Sequence, residues 1–251
     1  MKTIRVLAGL LVAALVSAAC RASDIVSVQP CSTAALSGNY GVQRNGTTGP
    51  GFHWTSVGVA RFDGKGNVIT NQAVSVNGTF SSVANQAGSY VINPDCTGTE
   101  SDGSGAVVGT LVMVHAADEV LGISLVPGNS ITVHYERIVG SCSNSTLTGD
   151  YGFQRNGQNA AGLAVVSIGH ITFDGNGNQT VVETTIRGGT ISSGVPLTGT
   201  YAINPDCTGT QTDAATGKII SQLAVVHGGD EVLGMSETAG NNIVIHYEKV
   251  N

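Results

Sequence analysis

Asn93 to Thr99 reads NPDCTGT, and Asn204 to Thr210 reads NPDCTGT again. The flanks repeat as well. GSYVI precedes the first run and GTYAI the second. Working outward, Cys31 returns as Cys142 and Tyr40 as Tyr151, an offset of 111. Beyond one inserted residue the offset becomes 112. His115, Asp118, Glu119, His134, Tyr135 and Glu136 thus return as His227, Asp230, Glu231, His246, Tyr247 and Glu248. A domain has been duplicated, so each copy can be read against the other.

Within the repeated stretch, Asn93-Pro94-Asp95 presets a type I turn, because proline holds the backbone angle its second position requires. Asp63-Gly64-Lys65-Gly66-Asn67 supplies glycines where φ > 0 is needed between strands, and Asp174-Gly175-Asn176-Gly177-Asn178 repeats it. Between such turns the apolar spacing is that of strands, without an amphipathic helix of useful length. In copy one it predicts strands near 38–44, 52–62, 67–76, 79–80 continuing to 87–92, 96–100, 106–115, 118–126 and 130–138.

Ala116-Ala117 becomes Gly228-Gly229 in copy two, the composition of a two-residue primed turn. That register sets His115 opposite Asp118, Met113 opposite Val120 and Leu111 opposite Gly122. The next loop, 127–130, is read as setting Val126 opposite Ile131, Ser124 opposite Val133 and Gly122 opposite Tyr135. One face then collects Met113, Val120, Gly122, Ser124, Ile131, Val133 and Tyr135, and is taken as interior. The other carries Val114, Glu119, Leu121, Ile123, His134 and Glu136. Small residues beside Tyr135 fit a small closed barrel. The fold expected is all-β: two tandem antiparallel up-and-down β-barrels of about eight strands each, with β-sandwiches as the alternative.

The division expected is a signal peptide over 1–19 with cleavage as late as 22, a linker over 20–30, repeat 1 over 31–139 and repeat 2 over 140–251. Lys2 and Arg5 precede an apolar stretch from Val6 to Val16, followed by small residues. This predicts an exported chain: periplasmic, secreted or anchored at the outer membrane. Cys20 has no counterpart in the repeat. It stands where a lipoprotein signal places its lipidated cysteine, although Ser17 occupies a position usually aliphatic; cleavage after Ala18 or Ala22 is the alternative. Such a lipid is the membrane contact expected. Without the leader the chain holds nine basic against 17 acidic residues, a net of −8. That excludes nucleic acid as a partner, whose phosphates demand Lys and Arg.

Cys31, Cys96, Cys142 and Cys207 obey the repeat, and four cysteines allow three pairings. Cys31–Cys96 and Cys142–Cys207 are favoured, because a unit that once folded alone carries its own bond. Each closes 65 positions, a crosslink of roughly 4 kcal/mol in a chain-entropy treatment. No CxxC spacing suggests zinc.

His134 and Glu136, two apart on a strand, share a face, as do His246 and Glu248. A metal needs a third ligand, and the register sets His115 on the opposite face; the pair is read as a surface contact. His115 with Asp118 is read as a cross-strand polar pair. Arg44 shares a strand face with Tyr40 and Val42, and Arg155 with Tyr151. These four are the candidate ligand-binding residues, the arginines holding an acidic group at the barrel mouth. The Asp174–Asn178 loop departs from the calcium pattern at Gln179 and Thr185 and is read as a plain turn. Trp54 and Phe52 belong to copy one alone, where copy two has Val165 and Leu163. No metal, cofactor or catalytic residue is assigned.

LSGNYGVQRNG at 36–46, RFDGKGN at 61–67 and GSYVINPDCTGT at 88–99, with LTGDYGFQRNG and GTYAINPDCTGT in copy two, resemble a group of uncharacterised exported bacterial proteins built from tandem repeats. The architecture is also similar to lipocalin, avidin and allene oxide cyclase barrels. These resemblances imply a fold and transfer no site. The function expected is non-catalytic binding, of a small apolar or amphiphilic ligand in the barrel or through surface adhesion. A barrel enzyme of the cyclase or isomerase kind and a structural envelope protein without ligand are the alternatives.

Overall fold

A computed structural model describes residues 31–49, 51–194 and 196–250. The expected leader, the 20–30 linker and Cys20 lie outside the described residues. Strands β1 (Ser37–Thr48), β2 (Phe52–Asp63), β3 (Asn67–Val76), β4 (Thr79–Ile92), β5 (Thr97–Asp102), β6 (Val107–Val114), β7 (Glu119–Ser124) and β8 (Ser130–Arg137) form a closed barrel. β1 pairs with β8 to complete it. The second copy contains β9 (Thr148–Gln158), β10 (Ala164–Asp174), β11 (Asn178–Arg187), β12 (Thr190–Ser193), β13 (Leu197–Ile203), β14 (Thr208–Asp213), β15 (Ile219–Val226), β16 (Glu231–Ser236) and β17 (Asn242–Lys249). It closes through β9–β17 and β10–β11. Its ring is eight strands, because β12 and β13 divide between them what the continuous β4 does in the first barrel. Closure removes the bare edges an open sheet would present.

Both disulfides form within a copy: Cys31–Cys96 and Cys142–Cys207, with Cα atoms 5.0 and 4.9 Å apart. The Asp63 loop is a turn held by its own carboxylate, which accepts from the Lys65 and Asn67 amides and the Asn67 side chain. Those bonds, the Asn67 side chain first, lower the Asp63 pKa to about 2.

Interior alternation packs one end of each barrel with aromatics. Phe62 stands edge-on to Tyr40, Tyr90 and Tyr135, with centroids 5.3, 4.9 and 5.4 Å away. Phe173 meets Tyr151, Tyr201 and Tyr247 in the same way. Such edge-to-face contacts add to what ring burial alone contributes.

The β6–β7 register is as the sequence predicts, Met113 facing Val120 and Leu111 facing Gly122. Ala116 (φ 55, ψ 38) and Ala117 (φ 72) make the primed turn. The β7–β8 register differs from expectation by two residues: Gly122 faces Val133, and Val120 faces Tyr135. The reason is local. Asn129 N donates to Val126 O, closing a tight turn about Pro127-Gly128, so the hairpin centre lies one residue earlier than a 127–130 loop would set it. A slip of two preserves the face of every side chain, and Met113, Val120, Ile131, Val133 and Tyr135 are all buried.

The barrels pack side by side through unlike faces. The outer face of β1–β3 lies against the outer face of β15–β17. Val57, with Val59, Ala73 and Phe80 around it, joins the cluster containing Ala224, Val226 and Leu233. Gly41 permits the close approach, since a Cβ there would stand 2.4 Å from Val226 Cγ1. Gln43 Nε2 donates to the Gly234 and Ile245 carbonyls at 2.8 and 2.9 Å. Ser75 Oγ donates to Asn242 Oδ1, and Gly240 N donates to Gly78 O.

Candidate functional site

A cavity of about 320 Å3 occupies the first barrel at the end away from the aromatic packing. Thr48, Asp102, Val126 and Asn129, from three turns, ring it at that end. Its floor is a polar layer across the middle of the barrel. Arg44 on β1 donates to Gln72 on β3 and, at 3.2 Å, to the Tyr135 hydroxyl on β8. That hydroxyl donates to Glu100 Oε2 on β5 at 2.8 Å. Arg44 Nη2 lies 3.9 Å from Glu100 Oε1, with the two side chains 15% and 14% exposed. Burial, then the Glu100 charge, raises the Tyr135 pKa, so its hydroxyl keeps its proton.

The second barrel builds the same layer with two groups exchanged. Arg155 donates to Glu183 at 2.8 Å, and the Tyr247 hydroxyl donates to Gln211. Gln72 corresponds to Glu183, and Glu100 to Gln211. Each set of four matched groups holds one arginine, one carboxylate, one amide and one tyrosine, with a further glutamine, Gln86 or Gln179, bonded to the amide; the acid sits on β11 in one and on β5 in the other. The compensation keeps either layer free of net charge, as burial requires. The second cavity, lined by Arg155 and Glu183, measures about 240 Å3.

Arg44 and Arg155 therefore line cavities, as the sequence suggests, though each is matched by a carboxylate. Tyr40 and Tyr151 do not line them. They lie fully buried at the packed end, their hydroxyls donating to the Ala117 and Gly229 carbonyls. Burial lifts both to about 12. Trp54 does line the first cavity, and its Nε1 is buried without a hydrogen-bond partner. Its appearance in one copy alone was the available signal.

A second cluster lies on the outer surface, where the barrels meet. His115 has φ 47, a left-handed conformation uncommon outside glycine, and His227 repeats it at φ 48. It swings the His115 ring off Asp118 and onto Glu119, 2.8 Å away. The expected His115–Asp118 pair is thus replaced, and Asp118 pairs with Arg137 at 2.9 Å. Glu119 also meets His134 at 2.7 Å, so His115 joins the His134 face it was expected to oppose. In copy two, Glu231 lies 3.1 Å from His227 and 3.9 Å from His246. Glu136 of the first barrel, 3.3 Å from His134 and only 4% exposed, also stands within 4.8 Å of His227 and Glu231. Burial, then the neighbouring Glu231 carboxylate, raises the Glu136 pKa.

No family model and no curated protein matches the chain. Solved structures share similarity at low identity. A DUF3598-family protein of unknown function from Nostoc punctiforme is 12% identical, with 86% of this chain and 97% of that one covered and a TM-score of 0.29. Kievitone hydratase from Nectria haematococca is 9% identical, with 86% and 90% covered and a TM-score of 0.24. A putative AttH from Nitrosomonas europaea is 8% identical, with 87% and 92% covered and a TM-score of 0.26. Similarity at that level assigns no activity.

Proposed function

We propose that the first barrel binds a small, uncharged amphiphile, and that the chain is an exported, non-catalytic binding protein. The Trp54 indole carries this reading: the residue lines a cavity with a hydrogen-bonding floor, and its N–H is buried without an acceptor. A buried donor left unmade costs about 1–3 kcal/mol, and a ligand oxygen relieves that cost. Val68, Leu111, Val108 and Ile131 offer apolar wall to the ligand's body. Neutrality follows from the floor, where Glu100 already offsets Arg44. The cavity is at the small end of the pocket range, which suits a short-chain ligand. Lipocalin-like architecture and two disulfides agree with an exported carrier.

Trp54 is the chain's single tryptophan, so its fluorescence reports on this cavity alone. Titration with short-chain alcohols should shift its emission saturably, and the matching carboxylates should bind more weakly. Calorimetry on Trp54→Phe should show roughly tenfold weaker alcohol binding, the worth of about one hydrogen bond. Unchanged affinity in that variant, or no saturable response across the series, would remove the proposal.

Surface adhesion is the second reading. It draws on the outer face of β10–β12, where Val166 faces Ile186 and Ile186 faces Ile191, all exposed.

A further inference from the structure

We infer that the seam between the barrels binds a divalent transition ion of the zinc type, held by Glu136 of the first barrel with His227 and Glu231 of the second, and His246 beside them. One donor atom from each of Glu136, His227 and Glu231 lies within 4.8 Å of the others. Tetrahedral zinc with ligands at about 2.1 Å sets its donors roughly 3.4 Å apart, so small side-chain movements close the set. Imidazole mixed with carboxylate favours zinc and its neighbours over calcium or magnesium.

Unpaired atoms give the independent reason. Among the described residues, seven buried side-chain polar atoms have no hydrogen-bond partner, and three are Glu136 Oε2, His227 Nε2 and His246 Nε2. Buried polar atoms ordinarily find partners. Three orphans around one carboxylate, each able to be a lone-pair donor, are what a cation satisfies. Copy one has the same three groups, yet there Glu119 engages both imidazoles closely and His115 is 75% exposed. The seam supplies the missing wall.

Tag-free full-length protein titrated with Co2+ alone should take up one ion per chain, with the visible absorption of a four-coordinate site, and Zn2+ should displace it. Glu136→Gln and His227→Asn should each weaken Co2+ binding tenfold or more, the latter residue being tolerant of positive φ. His115→Asn in copy one should leave affinity and stoichiometry unchanged. Melting curves without metal establish that the variants fold. Absence of saturable Co2+ or Zn2+ binding overturns the assignment. So does parental affinity in folded Glu136→Gln and His227→Asn, or loss of binding in His115→Asn.

A separate observation points to a second copy of this chain as a partner. The internal interface joins unlike faces, so the first barrel keeps its β6–β8 face free and the second its β9–β11 face. On the second barrel, the counterparts of Val57 and Phe80 are Ile168 and Ile191, and these are 69% and 68% exposed. Gly152 and Gln154 stand where Gly41 and Gln43 make the internal contact, and a Cβ on Gly152 would meet nothing within 4 Å. On the first barrel, Val112, Leu121 and Ile123 correspond to the buried Ala224, Leu233 and Met235, yet are 43%, 45% and 50% exposed. We propose that chains join head to tail, the β9–β11 face of one seated on the β6–β8 face of the next, as a ring or filament. Heterologous contacts propagate in that way.

Sedimentation of the full chain should show concentration-dependent oligomers. Ile168→Lys and Leu121→Lys should each be monomeric, and an equimolar mixture should form heterodimers and nothing larger, since each variant retains the face the other lost. A monomeric parent at its highest soluble concentration, oligomers that survive both substitutions, or a mixture that stays monomeric would overturn the proposal.

Discussion

Phe62→Ala will destabilise the first barrel by about 3–5 kcal/mol, the cost of removing a buried ring and leaving a cavity. Phe62 is 1% exposed and is the shared partner of three tyrosine edges. The neighbours cannot collapse into the gap, because the hydroxyls of Tyr40 and Tyr90 are tied to the Ala117 and Leu36 carbonyls. Denaturant unfolding followed at Trp54 measures the loss in the correct barrel. A loss below about 1 kcal/mol would show that the packed end relaxes freely, contrary to the tethered arrangement described.

Glu100→Gln should cost about 2–3 kcal/mol. Removing one partner of a fully buried ion pair costs about 3–5 kcal/mol, and the exposure of Arg44 and Glu100 to the cavity reduces that figure. The informative experiment is the double variant. Gln72→Glu with Glu100→Gln gives the first barrel the acid and amide arrangement of Glu183 and Gln211. Most of the lost stability should return, and the interaction energy of the cycle should be clearly non-additive. Additive losses in the double variant would mean that the two layers are not interchangeable solutions to one problem. Thermal melts of the four proteins suffice to decide it.

Much of the architecture was legible because duplication makes a sequence its own comparison. Turns, eight strands per copy, the interior parity and both disulfide pairings follow from repeated Gly, Pro and Cys positions. The β7–β8 register escaped by two residues, because a turn centre moved by one residue leaves no mark on alternation. His115 escaped because positive φ at a non-glycine residue is invisible in sequence; Gly228-Gly229 in the other copy marks only the neighbouring positions. Of the candidate site, Arg44 and Arg155 reach cavities while Tyr40 and Tyr151 do not. A strand face says inward, and only the barrel's two ends say whether inward means cavity or packing. The seam could not be read from alternation either, since Leu121 and Leu233 look alike until one of them is covered.

The exchanged acid has a consequence for heredity. The longest segment in which the two halves are letter-for-letter alike, Ile92 to Thr99, falls between Gln72 and Glu100. A crossover between the halves within that segment would give a hybrid with Gln72 and Gln211, and so no acid, or one with Glu183 and Glu100, and so two. One hybrid strands an arginine and the other crowds two carboxylates, each in a sparingly solvated layer where such imbalance is costly. Recombination at the point of greatest likeness would therefore yield a misfit, and the two halves would be kept as separate lineages within one gene.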